Sequence, residues 1–119
     1  MNKRNQPENK LVVEPILKKL KHYQLSGDIV WYRENKAEED RKTEAGTPDI
    51  FVIVNCKDSR TANLFIECKQ PTDKRPTWDD LRFEQRVFFE DMAGAPMTLC
   101  AIVNNPKQLW PLIKKCQNL

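Results

Sequence analysis

The sequence predicts an α/β (α+β) fold, a mixed β-sheet flanked by helices in the order α-β-β-β-α-β-α. Three observations carry that prediction. Apolar residues recur at helical spacing near the start, at Leu11, Val12, Ile16, Leu17 and Leu20. Two short runs, Ile50 to Val54 and Leu64 to Ile66, are wholly apolar and lie either side of a polar turn, the signature of a hairpin covered on both faces. A further apolar run, Met97 to Val103, follows an amphipathic stretch that contains Leu81, Phe88, Phe89 and Met92, so a helix separates the hairpin from a last strand.

Composition sets the outer bounds. A chain of 119 residues encloses one modest core, so a single domain over 1–119 is expected, with 1–7 frayed. A net charge of +3 permits nucleic-acid binding without arguing for it, and excludes a histone-like tail. Four cysteines, Cys56, Cys68, Cys100 and Cys116, show no C-x-x-C spacing, which excludes a zinc ribbon or a thioredoxin motif and leaves free buried thiols. Neither a signal peptide nor an apolar run of membrane length is present. A reducing, cytoplasmic compartment is therefore expected.

Taken in order, the first helix runs from Glu8 to about Gln24, and Pro15 either kinks it or sits in the first turn of a shorter helix from Glu14. Ser26-Gly27-Asp28 is a turn, and Ile29 to Arg33 reads as a strand. Glu34 to Ala45 is densely charged and almost without apolar residues, either a solvated loop or a flap beside a site. In the hairpin, Ile50, Val52 and Val54 face one way and Phe51 and Ile53 the other. A turn centred on Lys57 to Arg60 sets Asn55 opposite Ala62, Val52 near Phe65 and Asp49 near Cys68. Pro71 and Pro76 bracket a basic loop that holds Lys74 and Arg75. Thr77 and Asp80 have capping spacing, and a helix from there places Trp78, Leu81, Phe88, Phe89 and Met92 on one face. Gln85 falls inside that face, in a structural role or in a site; Phe83 and Val87 lie on the opposite face and suggest a partner surface. After the Met97 to Val103 strand, expected to be buried, Asn105-Pro106 starts a terminal helix or a pair of turns broken by Pro111.

The chemistry gathers at the outer end of the hairpin. The fold carries Asp49 back beside Glu67 and Lys69, and charged residues that terminate a buried strand need partners or a metal. Asp49 and Glu67 offer hard oxygen ligands for Mg²⁺ or Mn²⁺, and the Cys68 carbonyl offers a third. Lys69 is placed to orient a water or contact a phosphate. Short strings of this kind recur by chance, and the bland reading is a surface ion pair. Their position at the ends of two buried, hairpin-linked strands favours a site.

Asp49 with Glu67-Cys68-Lys69 resembles the PD-(D/E)xK nuclease motif. The order Gly46-Thr47-Pro48-Asp49, Ile66 to Lys69, Gln85 in a helix, Gly94 and a strand is similar to the virus-type replication-repair nuclease (VRR-NUC) domain, in particular its small stand-alone phage and bacterial members. The resemblance covers roughly Glu8 to Leu112 and implies a restriction-endonuclease-like core. It also implies Asp49 and Glu67 as metal ligands, Lys69 as catalytic lysine, Gln85 as the helix residue that reaches the site, and a first-helix glutamate, Glu8 with Glu14 as alternative. Arg33 and Asn35, and with them Lys74 and Arg75, become candidate nucleic-acid contacts. The implied activity is Mg²⁺- or Mn²⁺-dependent hydrolysis of DNA phosphodiesters, selective for Holliday junctions or other branched DNA. The implied enzyme is a homodimer in the cytoplasm of a bacterial or phage-infected cell. The chain departs from the pattern in the charged segment before Gly46. A restriction- or transposase-type endonuclease is the alternative within enzymes, and a catalytically silent DNA-binding module the alternative outside them.

Overall fold

The computed structural model describes residues 8–35 and 46–119; the expectations for 1–7 and for 36–45 lie outside the described residues. Strands β1 (Ile29–Glu34), β2 (Ile50–Asn55), β3 (Thr61–Cys68) and β4 (Thr98–Val103) form one sheet in the order β1-β2-β3-β4. The first three pair antiparallel, and β4 joins β3 in parallel. Helix α1 (Glu14–Ser26) precedes the sheet, α2 (Phe83–Met92) forms the crossover that a parallel pair requires, and α3 (Leu109–Gln117) closes the chain. The α/β architecture with a mixed sheet is the one expected. Among the described residues, no helix is long and apolar enough to cross a membrane.

Pro15 sits in the first turn of a helix that starts at Glu14, the second of its two expected placements. Asn9–Val13 form a wider π-helical turn that runs directly into α1, with Pro15 in its first turn. Proline lacks the N–H of a normal helical bond and crowds the carbonyl four residues back, and widening the turn relieves both. Gly27 then ends α1 in the left-handed conformation with φ 85°.

The hairpin register differs from the expected one by a single residue. Asn55 pairs with Thr61 rather than Ala62, and Val52 with Leu64 rather than Phe65. Arg60 belongs to the ladder instead of the turn, since the Cys56 N–H donates to its carbonyl at 2.8 Å. Ser59 takes the left-handed conformation, φ 73°, which lets three residues close the loop. The Asp58 carboxylate accepts from the Arg60 N–H at 3.2 Å and from its Nε at 2.6 Å. A one-residue slip reverses which side chains share a face. Here Ile50, Val52 and Val54 share one face with Ala62, Leu64, Ile66 and Cys68, all buried together with Val12, Ile16 and Leu20 from the first helix and Leu109, Ile113 and Cys116 from α3.

The second face is only half covered. Phe51, Ile53, Asn63 and Phe65 are intermediate in burial, and α2 approaches through Phe88, edge-on to Phe65 at 5.1 Å. Burial of both hairpin faces therefore holds for one face and only partly for the other. Strand β4, expected to be buried, is an edge strand and half-buried apart from Val103.

Two helix boundaries also differ. Thr77 and Asp80 do cap a turn, with the Thr77 N–H donating to the Asp80 carboxylate at 2.7 Å, but that turn is a single 3₁₀ turn, Trp78–Asp80. Leu81 and Arg82 are extended and α2 begins at Phe83, so Trp78 does not share a helix face with Phe88 and Met92. Pro111 lies inside the first turn of α3, after a 3₁₀ turn at Pro106–Gln108. An N–H missing there has no intrahelical partner to lose, so the helix is not broken. All four cysteines are free, three of them buried and Cys100 half-buried.

Candidate active site

The observed register places the expected residues in one row. The Asn35 N–H donates to the Asp49 carbonyl at 2.8 Å, and Glu67 pairs with Ile102 on β4. Continuing the β2–β3 register by one pair sets Asp49 opposite Glu67, so both carboxylates share the half-open face with Phe51 and Phe65. The Asp49 carboxylate accepts from the Cys68 N–H at 2.7 Å. Cys68 itself turns its thiol into the core, while its peptide lies at the site.

Glu67 is 5% exposed and Gln85 4%. Gln85 Nε2 donates to Glu67 Oε2 at 2.9 Å, and Gln85 Oε1 accepts from Lys69 Nζ at 3.0 Å and from the Arg82 N–H at 2.8 Å. One amide thus holds the acid and the lysine and also caps the first turn of α2. The structural reading of Gln85 holds, since its amide ties Glu67 and Lys69 to the start of α2. Lys69 Nζ lies 3.8 Å from Glu67 Oε2, and the Lys69 N–H is tied to the Val103 carbonyl at 2.8 Å.

The electrostatics follow from that crowding. Burial pushes the Glu67 carboxyl up to about 9, the Asp49 carboxylate and a hydrogen bond with Asp49 push the same way, Glu8 adds to it, and Lys69 opposes it. The two acids are thus close enough to interact directly. This is a donor set of hard oxygens, which fits a small divalent ion. Among the described residues, no group of three or more His, Cys, Asp or Glu side chains stands at metal-holding spacing; the candidate set is two carboxylates and a backbone carbonyl.

Of the two N-terminal candidates, Glu8 is within electrostatic reach of Glu67. Glu14 is exposed and accepts from Asn9 Nδ2 at 2.8 Å, on the outer side of the helix. Arg33 is exposed and Asn35 half-buried, and both line a cavity next to the carboxylates. Lys74 and Arg75 are exposed in the loop between β3 and the 3₁₀ turn at Trp78. Phe83 and Val87 are 74% and 38% exposed, as expected of a surface face of α2.

No family model, curated protein or solved structure matches the chain.

Three structural contributions were not foreseen from the sequence, although Gly46 itself was named with the motif. Gly46 has φ +87°, and a Cβ there would run into the Glu84 backbone at the start of α2; the chain entering β2 is thus pressed against the helix turn that carries Gln85. Asn104, 5% exposed, donates through Nδ2 to the Lys74 carbonyl at 2.8 Å and to Thr72 Oγ1 at 3.3 Å, which anchors the basic loop to the end of β4. Phe51 and Phe65 stack at 4.7 Å with an interplanar angle of 12°. Their signal was available: each stands two residues from an acid of the site, on the same strand face.

Proposed function

We propose that the chain is a metal-dependent DNA endonuclease of the PD-(D/E)xK type, selective for branched DNA and acting in the cytoplasm. The observation that carries this reading is the buried Glu67 carboxyl, facing Asp49 and joined to Lys69 through Gln85. A carboxylate removed from water beside another carboxylate is costly unless a cation or proton compensates it. The element order and the parallel fourth strand agree with the resemblance that the motif suggests.

Asp49, Glu67 and the Cys68 carbonyl would hold Mg²⁺ or Mn²⁺, which when bound lowers the pKa of a water and offsets charge on a phosphodiester. The chain's own groups do the positioning. Gln85 fixes Glu67 and Lys69 relative to each other. Lys69, whose side chain is 21% exposed, presents its ammonium at the mouth of the site, where it donates to an attacking water or a phosphate oxygen. The Cys68 N–H holds Asp49 in place. Lys74 and Arg75 supply backbone contacts without sequence readout, so the shape of the DNA is what is recognised. The exposed pair Phe83 and Val87 supports a homodimer, which sets two sites against two symmetric strands.

Plasmid nicking with Mn²⁺ tests this. Wild type should nick, and Asp49→Ala and Lys69→Ala should each lose on the order of 100-fold or more in rate. Failure of wild type to cut any form of DNA overturns the enzyme reading and leaves the silent DNA-binding module. Equal cutting of four-way junctions, flaps and linear duplex removes the selectivity for branches and favours the restriction- or transposase-type alternative.

A further inference from the structure

A cavity of about 200 Å³ opens beside the carboxylates, lined by Arg33, Asn35, Thr47, Pro48, Phe51 and Phe65. The β-ladder explains its make-up. Arg33 pairs with Phe51, and Phe51 with Phe65, so a guanidinium and two stacked rings form a row across the sheet. The row of Asn35, Asp49 and Glu67 lies two residues further along the same strands, roughly 7 Å away at about 3.3 Å per residue. Trp31, 41% exposed, extends the aromatic surface by an edge contact with Phe51 at 6.0 Å. Aromatic side chains normally take the deepest positions in a core; these stay half-exposed because α2 covers the sheet only from Phe65 outward. On the rim, Asn35 Nδ2 donates to the Pro48 carbonyl at 3.3 Å, which holds the entry of β2 against the end of β1.

We propose that this cavity is a subsite for one unpaired nucleobase of the substrate strand, with Arg33 on its phosphate. The proposal rests on the nuclease reading and deepens it, because it names the feature by which branched DNA is selected. Phe51 and Phe65 stack face to face, 4.7 Å apart at 12°, so the open side of that stack is the face of Phe51 towards Arg33. A base would continue the stack there, and aromatic surfaces bind bases of any sequence. A base inside a duplex is stacked on both faces and cannot enter, whereas one at a flap or branch point has already lost that stacking. The spacing between the two rows makes the captured nucleotide a neighbour of the bond presented to Asp49 and Glu67. Arg33 supplies the charge complement to its backbone.

The test is binding without cleavage, in EDTA, by anisotropy of a fluorescein-labelled oligothymidylate. Wild type should bind it about tenfold more tightly than a fully abasic strand of the same length, and more tightly than the matching dT·dA duplex. Phe51→Leu, which keeps an apolar side chain, should remove most of the preference over the abasic strand, while Arg33→Ala weakens both strands alike. Equal affinity of wild type for the thymidylate and abasic strands overturns the proposal, and that comparison needs no variant to fold. Since nothing is cut in this assay, base capture without nicking in Mn²⁺ sinks only the nuclease reading, and nicking without base preference sinks only the subsite.

Discussion

The two faces of the hairpin are made by the same two strands, of six and eight residues, and have opposite characters. On one, Ile50, Val52, Val54, Leu64 and Ile66 are wholly shielded from water, packed under the first helix and α3. On the other, Asp49, Phe51, Ile53, Asn63 and Phe65 are half-buried and Glu67 is buried, with α2 reaching in through Gln85 and Phe88. Because side chains alternate along a strand, a dry core on one face rigidly positions its neighbours on the other. The contrast shows how a small chain combines the two tasks: stability is concentrated on one side of the sheet, and the polar groups that cost stability are held on the other.

The largest effect that would sharpen this contrast is a cavity in the dry face. Leu64→Ala should cost about 2–5 kcal/mol in urea unfolding, whereas Ile53→Ala, half-buried opposite, should cost about 1 kcal/mol. Equal losses would show the faces to be energetically alike. Next comes the seam between the hairpin and α2. Gly46→Ala imposes both an unfavourable backbone conformation and a backbone collision with Glu84, so a loss of about 1–3 kcal/mol is expected. Nicking activity should fall further than the remaining folded fraction accounts for, because Gln85 shifts with the helix. Unchanged stability would remove the seam.

A smaller, pH-dependent effect comes from Glu67. Its folded carboxyl titrates at about 9 rather than the ordinary 4.5, so between those values the folded chain holds a proton that the unfolded chain has released. Stability in EDTA should therefore be greatest, for this group, below pH 4.5 and decline as pH rises to about 9. Glu67→Gln removes that slope, and Mn²⁺ should oppose it in wild type. Parallel pH profiles for wild type and Glu67→Gln, measured by urea unfolding in EDTA, would mean that Glu67 carries no penalty. The smallest expected effect on folding is at the outer side of α2. Phe83→Ser should change stability by no more than about 0.5 kcal/mol yet shift a dimer towards the 14.0 kDa monomer in light scattering. A wild-type mass already at the monomer value would rule out the pairing.

Much of this was legible in residue order. The periodicities placed three helices and four strands, and Asp49, Glu67, Lys69 and Gln85 could be singled out because charged or amide groups stand where apolar ones are expected. What was not legible depended on backbone conformations that side-chain type leaves open. Ser59 in a left-handed conformation moved the register by one residue, and only the folded turn decides between three and four loop residues. A π-helical turn absorbed Pro15, and an extended pair at Leu81 and Arg82 started α2 later than the apolar pattern suggested.

The sequence by itself determined the order of the elements and the identity of the acid–lysine cluster, because alternation and helical spacing are local properties. Tertiary structure alone decided that Glu8 rather than Glu14 approaches Glu67, that Gln85 joins acid to lysine, and that Phe51 and Phe65 stay half-open beside them. Those outcomes turn on how far each helix reaches across the sheet, and reach is settled by packing between distant segments rather than by any one segment's own residues.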